Sequence, residues 1–238
     1  MKIYVGMKKK EETNNKYSCE FCNREFIRQS TVDKHICQYK HRWLEKDHHG
    51  NRIGYQSFIQ FYKKNSANKK EKTYEEFIKS SYYTAFIKFG IYCVEIKAIN
   101  IPRFLDWLIE NQIKIDTWTS DSVYTKFLIE YLRTEDPYDA ITRSVNSSME
   151  LAEDQKIHMK DILRYGNRNK ICYYITLGKI SPWMLYQSQS GIELLNSLDE
   201  TQVKIIIDYI NPELWAIKFK RLSDIVVDIK KLLIDIGY

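Results

Sequence analysis

The chain has 238 residues, 44% apolar and 29% charged, with a formal net charge of +6. That balance fits a globular protein of one or two domains and excludes a wholly disordered chain. No apolar run approaches the ~20 residues needed to cross a bilayer, and the opening MKIYVGMKKK lacks the apolar core and cleavage site of a secretory leader. The expectation is therefore no membrane partner and a cytoplasmic location.

Charge is unevenly divided. Through Lys72 there are 17 Lys and Arg against 8 Asp and Glu, a balance of +9, while the remainder balances at −3. A basic segment ahead of a mildly acidic one is the electrostatic footprint of a phosphate-backbone binder. The plainer alternative is that Lys8, Lys9, Lys10, Lys63, Lys64, Lys69, Lys70 and Lys72 are solvated linker charge.

In chain order, residues 1–16 are polar and basic and read as a flexible terminus, with KIYV able to add a short edge strand. The stretch from Tyr17 to His41 then reads Y-x-C-x2-C-x3-F-x5-V-x2-H-x5-H. Two thiolates and two imidazoles, Cys19, Cys22, His35 and His41, suit the tetrahedral preference of zinc at spacings used by structural sites. The two-residue gap between the thiols fits a hairpin knuckle. Phe26 and Val32 supply a small core that Tyr17 covers, and metal binding supplies folding free energy that so short a unit lacks. A helix is expected from about Gln29 through His41, running on into HRWLEK.

This segment resembles the zinc-finger family with Cys-Cys-His-His ligation, with Val32 where that family usually has Leu. The long gap between the histidines is similar to that of matrin-type fingers, several of which bind double-stranded RNA. The resemblance implies a ββα unit over residues 17–46, a zinc ion and a nucleic-acid partner, DNA or double-stranded RNA. It places Arg28, Ser30, Thr31 and Lys34 toward the bases of a duplex, with Lys40 and Arg42 as further contacts. On DNA the two outer cations favour guanine weakly, and on duplex RNA the same side chains meet phosphates and 2′-hydroxyls. The alternative is a purely structural finger that staples the N-terminus or docks on protein. The abundance of Lys, Asn, Ile and Tyr with little Gly or Pro resembles proteins of large tailed phages.

Residues 47–50, DHHG, are similar to the metal-binding run of HNH-type nucleases, which implies Asp47 and His48 or His49 as magnesium ligands with Asn65 as a distal partner. The second CxxC pair of the junction-resolving members is absent. Segment 55–64 has helical spacing, NSANKKEK reads as linker, and residues 47–72 as a whole read as a basic connector with a short helix. The boundary falls near residue 70.

From Thr73 the pattern is helical. Thr73 and Glu76 form a capping box before a stripe that reaches Glu95 as one helix. Pro102, Pro137, Pro182 and Pro212 mark helix starts, with apolar stripes behind them that include Leu214, Trp215 and Ile217. Asp199 with Gln202 caps another helix. The β-branched run KICYYITL, residues 170–177, is the one expected strand outside the finger.

The fold class expected is mostly α: a ββα finger followed by an all-α domain over residues 73–238. Trp107, Trp118, Trp183 and Trp215 read as core, and Cys93 and Cys172 as buried thiols. No phosphate-cradling glycine loop, His-Glu zinc-hydrolase motif or nucleophile elbow is present. The reading that follows is a non-enzymatic nucleic-acid-binding accessory protein whose helical domain engages a replication, transcription or repair protein. A protein–protein adaptor and an HNH-like nuclease stand as alternatives.

Overall fold

A computed structural model describes residues 16–65 and 71–238. The expected N-terminal tail and most of the NSANKKEK linker lie outside the described residues. The first elements are two short antiparallel strands, β1 (Tyr17–Ser18) and β2 (Glu25–Phe26), which set Tyr17 opposite Phe26 and Ser18 opposite Glu25. The helices that follow begin with α1 (Gln29–Lys34), α2 (Gln38–Leu44), α3 (His49–Asn65), α4 (Tyr74–Lys79) and α5 (Tyr83–Glu95). Next come α6 (Ile101–Glu110), α7 (Asp121–Thr134), α8 (Pro137–Gln155), α9 (Ile162–Tyr165) and α10 (Arg168–Thr176). The chain closes with α11 (Pro182–Gln187), α12 (Gln189–Ser197), α13 (Glu200–Ile210), α14 (Pro212–Arg221) and α15 (Ser223–Asp235). The fold is mostly α, as expected.

Local chemistry accounts for most helix starts. Thr73 and Asp199 close complete capping boxes with Glu76 and Gln202. Asn100, Asp136, Ser181 and Asn211 each accept a first-turn backbone N–H beside a proline whose missing donor costs nothing there.

Two helical expectations are corrected. The stripe from Thr73 to Glu95 is two helices, because the chain turns extended at Ser80, whose Oγ accepts from the Tyr82 N–H and competes with the helical ladder. KICYYITL is helix α10 rather than a strand. Asn167 caps it, and Ile171, Cys172 and Ile175 share the one buried face that a period of three to four provides.

The segment read as a connector holds α3, which is long and lies in the same core as the helices after residue 73. Phe58 is buried against Phe77 and Phe86, at ring-centroid distances of 4.9 and 5.6 Å. Glycines make that packing close. A Cβ on Gly90 of α5 would sit 2.0 Å from the carbonyl oxygen of Gly50 and 2.6 Å from the Gly54 nitrogen, both on α3. The backbones touch where no side chain fits.

The rest of the core continues through Phe89, Phe104, Trp118 and Phe127 to Trp183, Trp215, Ile229 and Leu233. All four tryptophans of the helical region are buried, as are Cys93 and Cys172. Among the described residues, no helix is long and apolar enough to cross a membrane.

The N-terminal module is fastened to this body through α2. Trp43 packs edge-on against Tyr74 of α4 at 5.5 Å and also touches Phe21 of the knuckle at 5.9 Å. The Tyr74 hydroxyl donates to the Arg42 carbonyl at 3.2 Å. The Arg42 guanidinium donates to the Ile78 carbonyl and lies over the Tyr83 ring, 4.1 Å from its centroid.

Candidate metal centre

The knuckle between the two strands is set by backbone chemistry. The Asn23 N–H returns to the Cys19 carbonyl at 2.8 Å and the Cys19 N–H donates to the Arg24 carbonyl at 3.0 Å. Asn23 takes the left-handed conformation, φ +57°, a geometry that asparagine tolerates better than most residues. The turn aims the Cys19 and Cys22 sulfurs to one side.

Opposite them the helix ends early. At His35 the backbone becomes extended, ψ 120°, and its N–H folds back to the Val32 carbonyl. Cys37 is also extended, φ −84° and ψ 167°. In extended chain, side chains two apart point the same way. His35 and Cys37 therefore face the knuckle together, while Ile36 between them is turned outward and 64% exposed. One donor atom from each of Cys19, Cys22, His35 and Cys37 lies within 4.8 Å of all the others.

The fourth donor brought within reach of the other three is Cys37 rather than the expected His41. His41 falls on α2, its side chain 62% exposed and its Nδ1 3.4 Å from a Glu45 carboxylate oxygen. The continuous helix expected from Gln29 to His41 is interrupted, and Cys37 occupies the place assigned to the second histidine. Cys37 also caps the new helix, its Sγ accepting from the Lys40 N–H at 3.4 Å. The sequence signal for this was the third cysteine, one residue past His35, of a type able to both cap and ligate.

The donor set fits a tetrahedral ion. Cys19 Sγ and Cys37 Sγ are 4.0 Å apart, and Cys22 Sγ and His35 Nε2 are 3.4 Å apart. Metal–ligand bonds of ~2.3 Å to sulfur and ~2.0 Å to nitrogen make tetrahedral edges of roughly 3.5–3.8 Å. Charge points the same way. Burial acts to raise the Cys19 thiol, but hydrogen bonds from the Cys22 and Phe21 amides and with the Cys22 and Cys37 sulfurs together hold it below its ordinary range. At Cys22 the Arg24 amide pulls down, while burial and the Cys19 and Cys37 sulfurs together push the thiol up. Thiolates this close ionise together only against a cation.

The residues expected to meet nucleic acid divide into two groups. Arg28, Ser30, Thr31 and Lys34 are all exposed on or beside α1, a helix that buries none of its residues. Lys40 is half-buried, its ammonium 3.4 Å from the Asp33 carbonyl. Arg42 is taken out of that surface by its bond to Ile78 and its stacking on Tyr83. No sequence signal reveals this, because the partners lie 36 residues or more along the chain.

Asp47, His48 and His49 are exposed and form no shared ion site. Among the described residues the group at Cys19–Cys37 alone brings three or more Cys, His, Asp or Glu donors within reach of one ion. His48 and His49 instead line a cleft of about 480 Å³ with Glu45, Ile87, Ile91 and Glu95. The side-chain amide of Asn65 donates to its own helix at the Phe61 carbonyl.

Comparison with protein-family models, with curated proteins and with solved structures found no match to this chain.

Proposed function

We propose that a zinc ion held by Cys19, Cys22, His35 and Cys37 organises the N-terminal module to bind the phosphate backbone of DNA or duplex RNA. On this reading the chain is an accessory protein whose helical body engages a protein of replication, transcription or repair. Three thiolates and one imidazole are a soft donor set that favours zinc over the hard divalent cations. A closed set of four protein donors is that of a structural ion, which supplies folding free energy rather than catalysis. Such thiolates persist in a reducing cytoplasm, and all five cysteines are free.

The observation that carries the proposal is the surface of α1. Arg28 and Lys34 stand at its two ends, exposed and without an ion-pair partner among the described residues, with Ser30 and Thr31 between them. The test is binding to duplex DNA, single-stranded DNA and duplex RNA over a salt series. Affinity is expected to fall steeply with salt, and Arg28→Ala and Lys34→Ala each to reduce the log–log slope by about one. Absence of binding to all three nucleic acids at low salt would refute the proposal.

The docking of Trp43 and Arg42 onto α4 and α5 favours a second reading. There the metal module braces the helical body and both parts serve as a protein adaptor. That reading expects no nucleic-acid binding but unfolding of the body at lower temperature after metal removal. An HNH-like activity would require magnesium-dependent nicking that His48→Ala abolishes.

A further inference from the structure

Helix α14 carries more apolar surface than the body covers. Trp215 and Phe219 turn inward, where Phe219 packs on Trp183 and Trp215 at 4.9 and 5.3 Å. The adjoining stripe, Leu214, Ile217, Lys218 and Arg221, follows the i, i+3, i+4, i+7 spacing of a single helix face. Leu214 is 41% exposed and Ile217 51%, so these two members of the apolar stripe are on the surface. Together with Leu222 and with Arg133 from the end of α7, this face lines a groove of about 520 Å³ floored by Trp215.

The charges lining this groove have one sign. Arg133 and Arg221 have no ion-pair partner among the described residues. The Lys218 ammonium sits over the Trp183 and Trp215 rings, 5.2 and 4.7 Å from their centroids, and makes no hydrogen bond. The carboxylate that acts on it, Glu135, is already engaged by Arg143 at 2.6 Å and by the Ser181 hydroxyl at 3.1 Å. The groove thus offers apolar area bordered by two exposed guanidiniums, Arg133 and Arg221, without an ion-pair partner among the described residues, while the Lys218 ammonium is buried beneath it.

We propose that this groove docks an acidic peptide segment of a partner protein. Large apolar side chains at helical spacing insert over Trp215 while neighbouring carboxylates meet Arg133 and Arg221. A small inorganic anion would leave the apolar walls wet, and a neutral apolar ligand would leave the cations unmatched. Leu214 and Ile217 along the groove wall give a surface that a segment carrying several side chains can follow. This inference rests on the reading that the helical body engages protein, and it does not depend on nucleic-acid binding.

The test uses the full-length, metal-loaded protein and a short fluorescein-labelled peptide of aspartates that carries a phenylalanine and a leucine one helical turn apart. Anisotropy is expected to give a dissociation constant on the order of 10 µM. Arg133→Glu, Arg221→Glu and Ile217→Asp, all at exposed positions, should each weaken it about tenfold or more. Replacing the peptide's aspartates with lysine, or its apolar residues with alanine, should do the same. Salt-dependent nucleic-acid binding should be unchanged in these three variants, which separates failure here from failure of the nucleic-acid reading. The proposal is overturned if the peptide shows no saturable binding up to about 1 mM, or if it binds all variants equally. It is also overturned if dodecanoate binds the groove more tightly than the peptide, or if duplex DNA displaces the peptide from it.

Discussion

Replacing Cys37 with serine, and separately His41 with alanine, distinguishes two metal sites that share three donors. Cysteine–histidine zinc sites hold their ion with roughly 10–16 kcal/mol. A quarter of that for one donor is about 3 kcal/mol, or ~100-fold in affinity. Serine at position 37 keeps an oxygen able to accept the Lys40 N–H that Cys37 Sγ accepts, so the start of α2 is preserved and the metal term is isolated. His41 touches only the exposed Glu45 carboxylate at 3.4 Å, an i,i+4 surface contact whose loss costs a few tenths of a kcal/mol. Cys37→Ser should therefore lose zinc to a chromophoric chelator at ~100-fold lower chelator strength, while His41→Ala titrates like the parent. Cobalt substitution gives a second readout, since thiolate-to-cobalt charge-transfer absorption should drop from the level of three sulfurs to that of two only in the Cys37 variant. Loss of metal in His41→Ala with retention in Cys37→Ser would refute the assigned geometry.

Two further predictions concern the body. Gly90→Ala places a methyl against the Gly50 carbonyl and the Gly54 nitrogen, so α3 and α5 must separate. Overpacking of this kind costs about 1–3 kcal/mol or more, and at ~2–4 °C per kcal/mol the melting temperature should fall by ~5 °C. Exposed Thr84→Ala on the same helix is the control, and equal melting curves for the two variants would contradict the close crossing. Burial holds the Glu135 carboxyl above its usual range, although Arg143, Ser181 and Lys218 pull it down. Its folded pKa exceeds its unfolded one, so its contribution to stability is present in acid and lost as pH rises through the raised value. Arg143→Met removes the compensating cation and should cost about 3–5 kcal/mol near neutral pH. The cost should shrink near about pH 4, where the carboxyl is protonated in both proteins. Urea midpoints of variant and parent at the two pH values check this, and a pH-independent difference would remove the assigned coupling.

The helical class, the caps at Thr73 and Asp199, the helix starts marked by proline and the knuckle at Cys19 and Cys22 were legible in the sequence, because each depends on residues within a few positions of one another. Reading KICYYITL as a strand failed because β-branching is a weak preference, whereas the spacing of Ile171, Cys172 and Ile175 allowed one helix face to be buried. The stripe at Leu214 and Ile217 does lie on a helix, α14, but its exposure was not legible. Periodicity finds an apolar face but does not say which neighbour covers it.

The sequence alone determined that this protein has cysteines and a histidine spaced so that they could hold a metal ion, in a basic segment ahead of a helical chain, since spacing, charge and capping are local and additive. Only the tertiary structure decided that Cys37 and not His41 lies beside Cys19, Cys22 and His35, that Arg42 serves packing, and that α3 belongs to the core. Each of those outcomes turns on which distant surfaces meet. A break in the helix at His35, a carbonyl at Ile78 and a glycine at position 90 fix them, and their effects are felt across the fold rather than along the chain.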